Sequence, residues 1–150
     1  MPFAGLAGSD LPRVSGFASV RDPYGGGEVL VIQAIRPDVA LIHVQEADQD
    51  GNLRIAGSPS EDVLLAKASV RIIATAERIV PSQRFREQPE LTALPGFLVD
   101  LVVEAPRGAW PTSCAGDYGY DADFLGAYVA AAKSQEGFDG FLRERVLGAP

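Results

Sequence analysis

Short, β-branched apolar runs separated by polar or Gly/Pro breaks dominate the first hundred residues, and helical spacing takes over only near the end. Residues 29–35 (V-L-V-I-Q-A-I) and 39–45 (V-A-L-I-H-V-Q) are apolar at nearly every position, the pattern of strands buried on both faces. Arg36-Pro37-Asp38 separates them, because proline cannot donate to a ladder and presets a turn. Asp50-Gly51-Asn52 is turn chemistry, and residues 53–56 then alternate as a short strand. Ser58-Pro59-Ser60-Glu61-Asp62, a hydroxyl cap followed by acids in the first turn, signals the start of a helix running through 63–68. Residues 70–76 and 97–104 read as further strands, and Asp100 inside the second requires a hydrogen-bond partner. Residues 81–95, polar and punctuated by proline, read as an exposed loop, and 107–120 as a further loop. Asp121 caps a helix with Phe124, Leu125, Tyr128, Val129 and Ala132 on one face. Ser134 starts a last helix with Phe138, Phe141, Leu142 and Val146 inward and Gly148 at its C-terminal cap. Residues 1–28 carry little periodicity. The pattern predicts an α/β fold, a mixed open sheet flanked by helices, as one domain over 1–150.

With 150 residues, 47% of them hydrophobic, the chain is long enough to bury a core. The net charge of −7, with 13 basic side chains scattered among 20 acidic ones, lacks the basic stripe of a nucleic-acid binder. A single cysteine, Cys114, excludes an internal disulfide and fits a reducing compartment. No stretch reads as a secretory leader or approaches the length of a membrane span, so the expected location is the cytoplasm. With His43 as the sole histidine, no histidine-based metal cluster is expected and no metal site is assigned.

Polar residues gather where the apolar run 39–45 ends: His43, Gln45, Glu46, Asp48, Asp50 and Asn52. Ligands of open α/β sheets bind at the carboxyl ends of strands. Asp48, which follows the strand directly, draws most interest; Asp50-Gly51-Asn52 is accounted for by the turn. Glycines 25–27 precede a strand rather than linking a strand to a helix N-terminus, so they read as a hairpin or connecting loop and not as a phosphate cradle. His43 and Cys114 would make a thiol–imidazole dyad only within hydrogen-bond reach, and a lone histidine ending a buried strand is more often a satisfied structural residue. Trp110, Tyr118 and Tyr120, with Thr112 and Ser113 among them, either line a pocket or plug a seam between sheet and helices.

R-P-D-V-A-L-I-H-V-Q-E-A-D-Q-D-G-N (36–52) resembles the signature of the A (α) subunit of family I CoA-transferases of the glutaconate type. G-L-A-G-S-D (5–10), P-G-F-L-V-D-L-V-V-E-A-P-R-G-A-W-P-T-S-C (95–114), D-Y-G-Y-D-A-D-F (117–124) and A-A-K-S-Q-E-G-F-D-G-F-L (131–142) resemble the same family, in order, over nearly the whole chain. The pattern is also similar to the two-subunit hydrolase that opens the last steroid ring as a CoA thioester.

The resemblance implies the CoA-transferase (NagB/RpiA-like) fold. Because A subunits of that family are nearly twice this long, it implies the C-terminal half of one. Residues 1–28 then resemble a mid-chain loop, and Gly8, Ser9 and Asp10 join Gln45 and Asp48 as substrate-cleft candidates. The implied reaction moves CoA between an acyl-CoA and a carboxylic acid, with coenzyme A as substrate and no tightly bound cofactor. The implied nucleophile is a glutamate of a partner B-type subunit, which forms an anhydride that the CoA thiolate reopens to a glutamyl thioester. No glutamate here stands in the Glu-Asn-Gly setting typical of such nucleophiles, so no catalytic residue is assigned to this chain. Trp110 departs from the many relatives with His before the Pro-Thr-Ser-type segment. Implied partners are a B-type subunit together with a separate N-terminal half of the A subunit, with neither nucleic acid nor membrane. The alternatives are a CoA-thioester hydrolase or ring-opening subunit, or a non-catalytic structural subunit.

Overall fold

The computed structural model describes residues 2–3 and 8–148. The chain separates into two compact units, residues 1–36 and 37–150.

The first unit holds β1 (Pro2–Phe3), α1 (Leu11–Ser15), β2 (Ala18–Arg21) and β3 (Glu28–Val31). β3 lies between β1 and β2 and runs antiparallel to both. The segment read as irregular therefore contains a helix and a small sheet. Its β2–β3 hairpin is built on Asp22, whose carboxylate accepts the N–H groups of Tyr24 (2.9 Å) and Gly26 (3.1 Å). The glycine triplet is the hairpin turn, as its position before a strand suggested.

The second unit holds β4 (Val39–Asp48), β5 (Leu53–Arg54), α2 (Asp62–Ala68), β6 (Arg71–Val80), α3 (Ser82–Glu87), β7 (Leu101–Glu104), α4 (Ala122–Ala131) and α5 (Gln135–Phe141). Its sheet runs β5-β4-β6-β7, with β5 antiparallel and β4, β6 and β7 mutually parallel. This is the mixed open sheet that the pattern predicted. Register sorts its faces, because laterally paired residues point the same way. Ala40, Ile42 and Val44 align with Ile72, Ala74 and Ala76 and are buried in the core with Ala66 of α2, Leu53 and Leu94. The opposite face carries Leu41, His43 and Gln45, alongside Ile73, Thr75 and Glu77.

Several elements depart from the periodicity. β4 runs on to Asp48 and β6 to Val80. Of the polar residues that ended the pattern, Gln45, Glu46 and Asp48 are buried and held by hydrogen bonds or ion pairs, whereas Asp50 is exposed in the turn. Residues 81–95 are not simply exposed: α3 places Phe85 under the Arg54 guanidinium, 4.7 Å from its ring centroid. Leu94, fully buried, bridges to Leu53. Residues 96–98 form a 3-10 turn, which delays β7 to Leu101. The Asp100 carboxylate finds the partner it needs in the Ile72 N–H, at 2.8 Å. Neither Ser58 nor Ser60 caps α2, whose N-cap is Glu61 without a side-chain bond. Asp121 and Ser134 do cap α4 and α5, accepting from Phe124 and Gly137. Gly148 ends a π-helical stretch at Leu142–Leu147 but keeps φ at −89°, outside the left-handed region.

Candidate functional site

Thr75 pairs laterally with His43, so alternation along β6 puts Thr75 and Glu77 on the face that His43 occupies. His43 Nδ1 lies 2.8 Å from Thr75 Oγ1, and Nε2 lies 2.7 Å from Glu77 Oε1. Nε2–H donates to the carboxylate, and Nδ1 meets the threonine hydroxyl, a group able to donate or accept. Glu77 Oε1 also accepts the Tyr118 hydroxyl at 2.5 Å, and Oε2 accepts the Arg107 N–H at 2.6 Å. Burial opposes ionisation of Glu77. The hydrogen bonds from Tyr118, Arg107 and His43, with the His43 charge, outweigh it and hold the carboxyl below its usual 4.5. Burial raises the Tyr118 pKa, and its bond to Glu77 adds to the rise.

This cluster pins the segment that follows β7. The Tyr118 hydroxyl accepts the Ala109 N–H at 3.0 Å. Arg107 adopts a left-handed backbone (φ 61°) while its guanidinium sits 5.3 Å from the Tyr118 ring centroid. Gly108 lies so close to the imidazole that a Cβ there would meet His43 Cε1 at 2.7 Å. Gln45 adds a further tie, donating to the Ala115 carbonyl (3.1 Å) and accepting the Ala56 N–H (2.9 Å). Of the other aromatic residues of 107–120, Trp110 shares this seam-filling work and Tyr120 does not, being 67% exposed. Trp110 packs 4.4 Å from Phe124 between ring centroids and donates to Asp121.

A second cluster ends β4. Glu46 is buried and meets three guanidinium groups: Arg84 at 2.9 Å, Arg78 at 3.3 Å and Arg54 at 3.4 Å. Arg78 also reaches Asp117 at 2.7 Å. Asp48 folds back on its own turn. Its Oδ1 accepts the N–H groups of Asp50 (3.0 Å) and Asn52 (2.9 Å), and its Oδ2 accepts the Asn52 amide (2.9 Å). Asn52 Oδ1 in turn accepts the Gly96 N–H at 2.9 Å.

The site residues read from sequence thus fall in different places. Gly8, Ser9 and Asp10 are exposed in the first unit, where Ser9 Oγ accepts the Leu11 N–H (3.3 Å) and Asp10 pairs with Arg13 (3.4 Å). Residues 5–7 of that motif lie outside the described residues. Gln45 and Asp48 are buried in the second unit. Asp48 borders an open cleft of about 440 Å³ shared with Gly51, Ile79 and Val99, although its carboxylate is engaged by the turn. Glu77, Thr75 and the arginines around Glu46 went unnoticed in the sequence. The available signal was the i, i+2 spacing of Thr75 and Glu77 in an otherwise apolar run.

A lone histidine suggested no metal cluster. The fold nonetheless brings ligand atoms of His43, Glu77 and Cys114 within 4.8 Å of one another, and these are the residues that could hold a cation. His43 and Glu77 already satisfy each other. Burial raises the Cys114 pKa, and the Glu77 and Asp117 charges raise it further, which disfavours a nucleophilic thiolate. His43, both of whose ring nitrogens are engaged, is the satisfied structural residue expected of it.

The family model described as Coenzyme A transferase matches residues 11–105. The A-type (α) subunit of glutaconate CoA-transferase from Acidaminococcus fermentans is 41% identical over 87% of this chain and 41% of its own length. The crystal structure of glutaconate coenzyme A-transferase from that organism superposes with a TM-score of 0.87 at 35% identity, covering 99% of this chain and 52% of that one. The cholesterol ring-cleaving hydrolase IpdA subunit of Mycobacterium tuberculosis is 33% identical over 99% of this chain and 54% of its own length. The chain spans from about a third to just over half the length of the curated relatives it matches. With its fold and the match over residues 11–105, the chain belongs to the Coenzyme A transferase family.

Proposed function

We propose that this chain works as part of an A-type subunit in a hetero-oligomeric CoA-transferase, moving CoA between an acyl-CoA and a carboxylic acid. The observation that carries the reading is the 41% identity to the A-type chain of glutaconate CoA-transferase. The site's chemistry agrees with a nucleophile on another chain: both oxygens of Glu77 are engaged, Glu46 is held by three arginines, and Cys114 is a buried thiol. A glutamate on a B-type partner attacks the acyl-CoA carbonyl and expels the CoA thiolate. The thiolate attacks the glutamyl carbonyl of the anhydride, releases the first carboxylate and leaves a glutamyl thioester. The acceptor carboxylate reverses both steps. In this reading the residues 105–118 form a rigid wall at the carboxyl ends of β6 and β7, fixed by the His43–Glu77–Tyr118 cluster, and this chain contributes shape rather than the reacting atom. Coenzyme A enters as substrate. Gly8, Ser9, Asp10, Gln45 and Asp48 remain the proposed cleft residues, and the cytoplasm the proposed location. No helix among the described residues is long and apolar enough to cross a membrane.

The second reading, a CoA-thioester hydrolase subunit, is favoured by the 33% identity to the ring-cleaving hydrolase subunit. Acceptor dependence separates the two. The chain, co-expressed with a B-type partner and the remainder of an A-type subunit, is assayed for CoA release and acyl-CoA formation. A transferase forms new acyl-CoA only when a carboxylate acceptor is added. CoA release at full rate in water alone would replace the first reading with the second.

A further inference from the structure

Three segments far apart in sequence deliver three different metal-ligating side chains to one point. His43 and Glu77 come from the same face of the paired strands β4 and β6. Cys114 arrives from the segment after β7, where it forms an isolated antiparallel bridge with Tyr118. The two residues exchange backbone N–H bonds of 3.0 Å, and laterally paired residues point the same way. The thiol therefore joins the Tyr118 hydroxyl beside Glu77. An imidazole nitrogen, a carboxylate oxygen and the sulfur lie within 4.8 Å of one another, on side chains that are buried or half-buried. Mg²⁺ and Ca²⁺ take oxygen ligands, whereas imidazole, carboxylate and thiolate together suit Zn²⁺. Tetrahedral zinc bonds of about 2.0–2.3 Å keep ligand atoms roughly 3.4 Å apart. The 2.7 Å between His43 Nε2 and Glu77 Oε1 thus has to open by less than an ångström.

The groups that orient metal ligands from behind are in place as well. The Thr75 hydroxyl, 2.8 Å from His43 Nδ1, can accept an Nδ1–H and so leave Nε2 as the ligand nitrogen. The Arg107 N–H holds Glu77 Oε2 at 2.6 Å, which leaves Oε1 turned toward His43. The Asp117 carboxylate, 3.9 Å from the sulfur, adds negative charge beside the thiol. We propose that His43, Glu77 and Cys114 form a Zn²⁺ site, with water in the fourth position. The ion takes the place of the Nε2–H in the His43–Glu77 pair. Binding moves the imidazole proton to Nδ1, breaks the Cys114 S–H bond and releases one proton to solvent, with no change of oxidation state. Without the ion, His43 and Glu77 satisfy each other; with it, metal bonds tie the Cys114–Tyr118 segment to β4 and β6. The site stands on these side chains alone, so its failure would leave the A-type reading untouched.

The test strips the full chain with a chelator, then titrates it with Zn²⁺ by calorimetry and with Co²⁺ by absorbance. One ion binds per chain, Zn²⁺ raises the melting temperature, and Co²⁺ gives a thiolate charge-transfer band in the near ultraviolet. Cys114→Ser abolishes that band and weakens Zn²⁺ binding, while its circular dichroism without metal stays that of the wild type. Thr75→Val keeps all three ligands and removes the group that orients the imidazole. It weakens Zn²⁺ binding about 10–100-fold, the effect of losing a partner behind a ligand. A purely structural role for Thr75 would lower the melting temperature and leave that affinity alone. The site is overturned by absence of one-to-one binding, by Co²⁺ binding without the thiolate band, or by an affinity for Zn²⁺ that neither substitution changes. Equal stabilisation by Mg²⁺ overturns it too, since that ion reports only the acidic surface.

Discussion

Glu77 is held on both oxygens by Tyr118, His43 and the Arg107 backbone, and it is ionised in the folded chain at a pH where a free carboxyl would be protonating. A carboxyl whose native pKa is depressed stabilises the fold fully above its unfolded value, here 4.5, and loses that contribution as pH falls through the lowered native value. Glu77→Gln keeps the shape and removes the charge. It should lower stability at pH 7 by about 1–3 kcal/mol, the range for hydrogen bonds to a charged group, and the gap from wild type should close in acid below pH 4.5. Urea unfolding at neutral and acid pH reads this directly. A gap that stays constant across that range would mean that the Glu77 charge contributes nothing and that its role is packing alone.

At the level of elements, the connection after β7 is held both by its own backbone hydrogen bonds and by what it touches. Gly108 passes so close to His43 that an added methyl group would overlap the ring and also meet the Ala105 carbonyl at 2.8 Å. Gly108→Ala should therefore cost about 1–3 kcal/mol, in the range of overpacked sites, and should release Tyr118 from Glu77. Loss of protection at the Ala109 amide in hydrogen exchange would register the release. Unchanged protection would show that the wall relaxes without the cluster. The strands beneath it were legible from their apolar runs, and the α4 and α5 starts from Asp121 and Ser134, because caps and alternation are local. The ends of β4 and β6 were not. Glu46 looks like a loop residue until Arg54, Arg78 and Arg84 converge on it from three other elements. Phe85 and Leu94, set in a polar stretch, are core residues only because Arg54 and Leu53 lie over them. Gln45 and Asp48 were found as polar residues at a strand end, but the backbone groups that claim them come from Ala56, Ala115 and the turn itself.

Taken whole, the molecule divides its stabilising contacts unequally. Residues 37–150 contain the four-stranded sheet and the contiguous core around Val44, Leu53, Ala74 and Leu94. Residues 1–36 have Leu30 as their buried apolar side chain among those described. Chains below about 40 residues rarely fold without disulfides, metals or partners, and Cys114 as the sole cysteine leaves the first unit no disulfide. Produced separately, residues 37–150 should melt cooperatively and keep the β circular dichroism of the whole chain, whereas 1–36 should show no cooperative transition. The distinction bears on function, because Gly8, Ser9 and Asp10 belong to the unit with the smaller buried core. If 1–36 show no transition alone, the part proposed for those three residues in a cleft depends on what that segment meets. If 37–150 fail to fold, the sheet needs more than its own core.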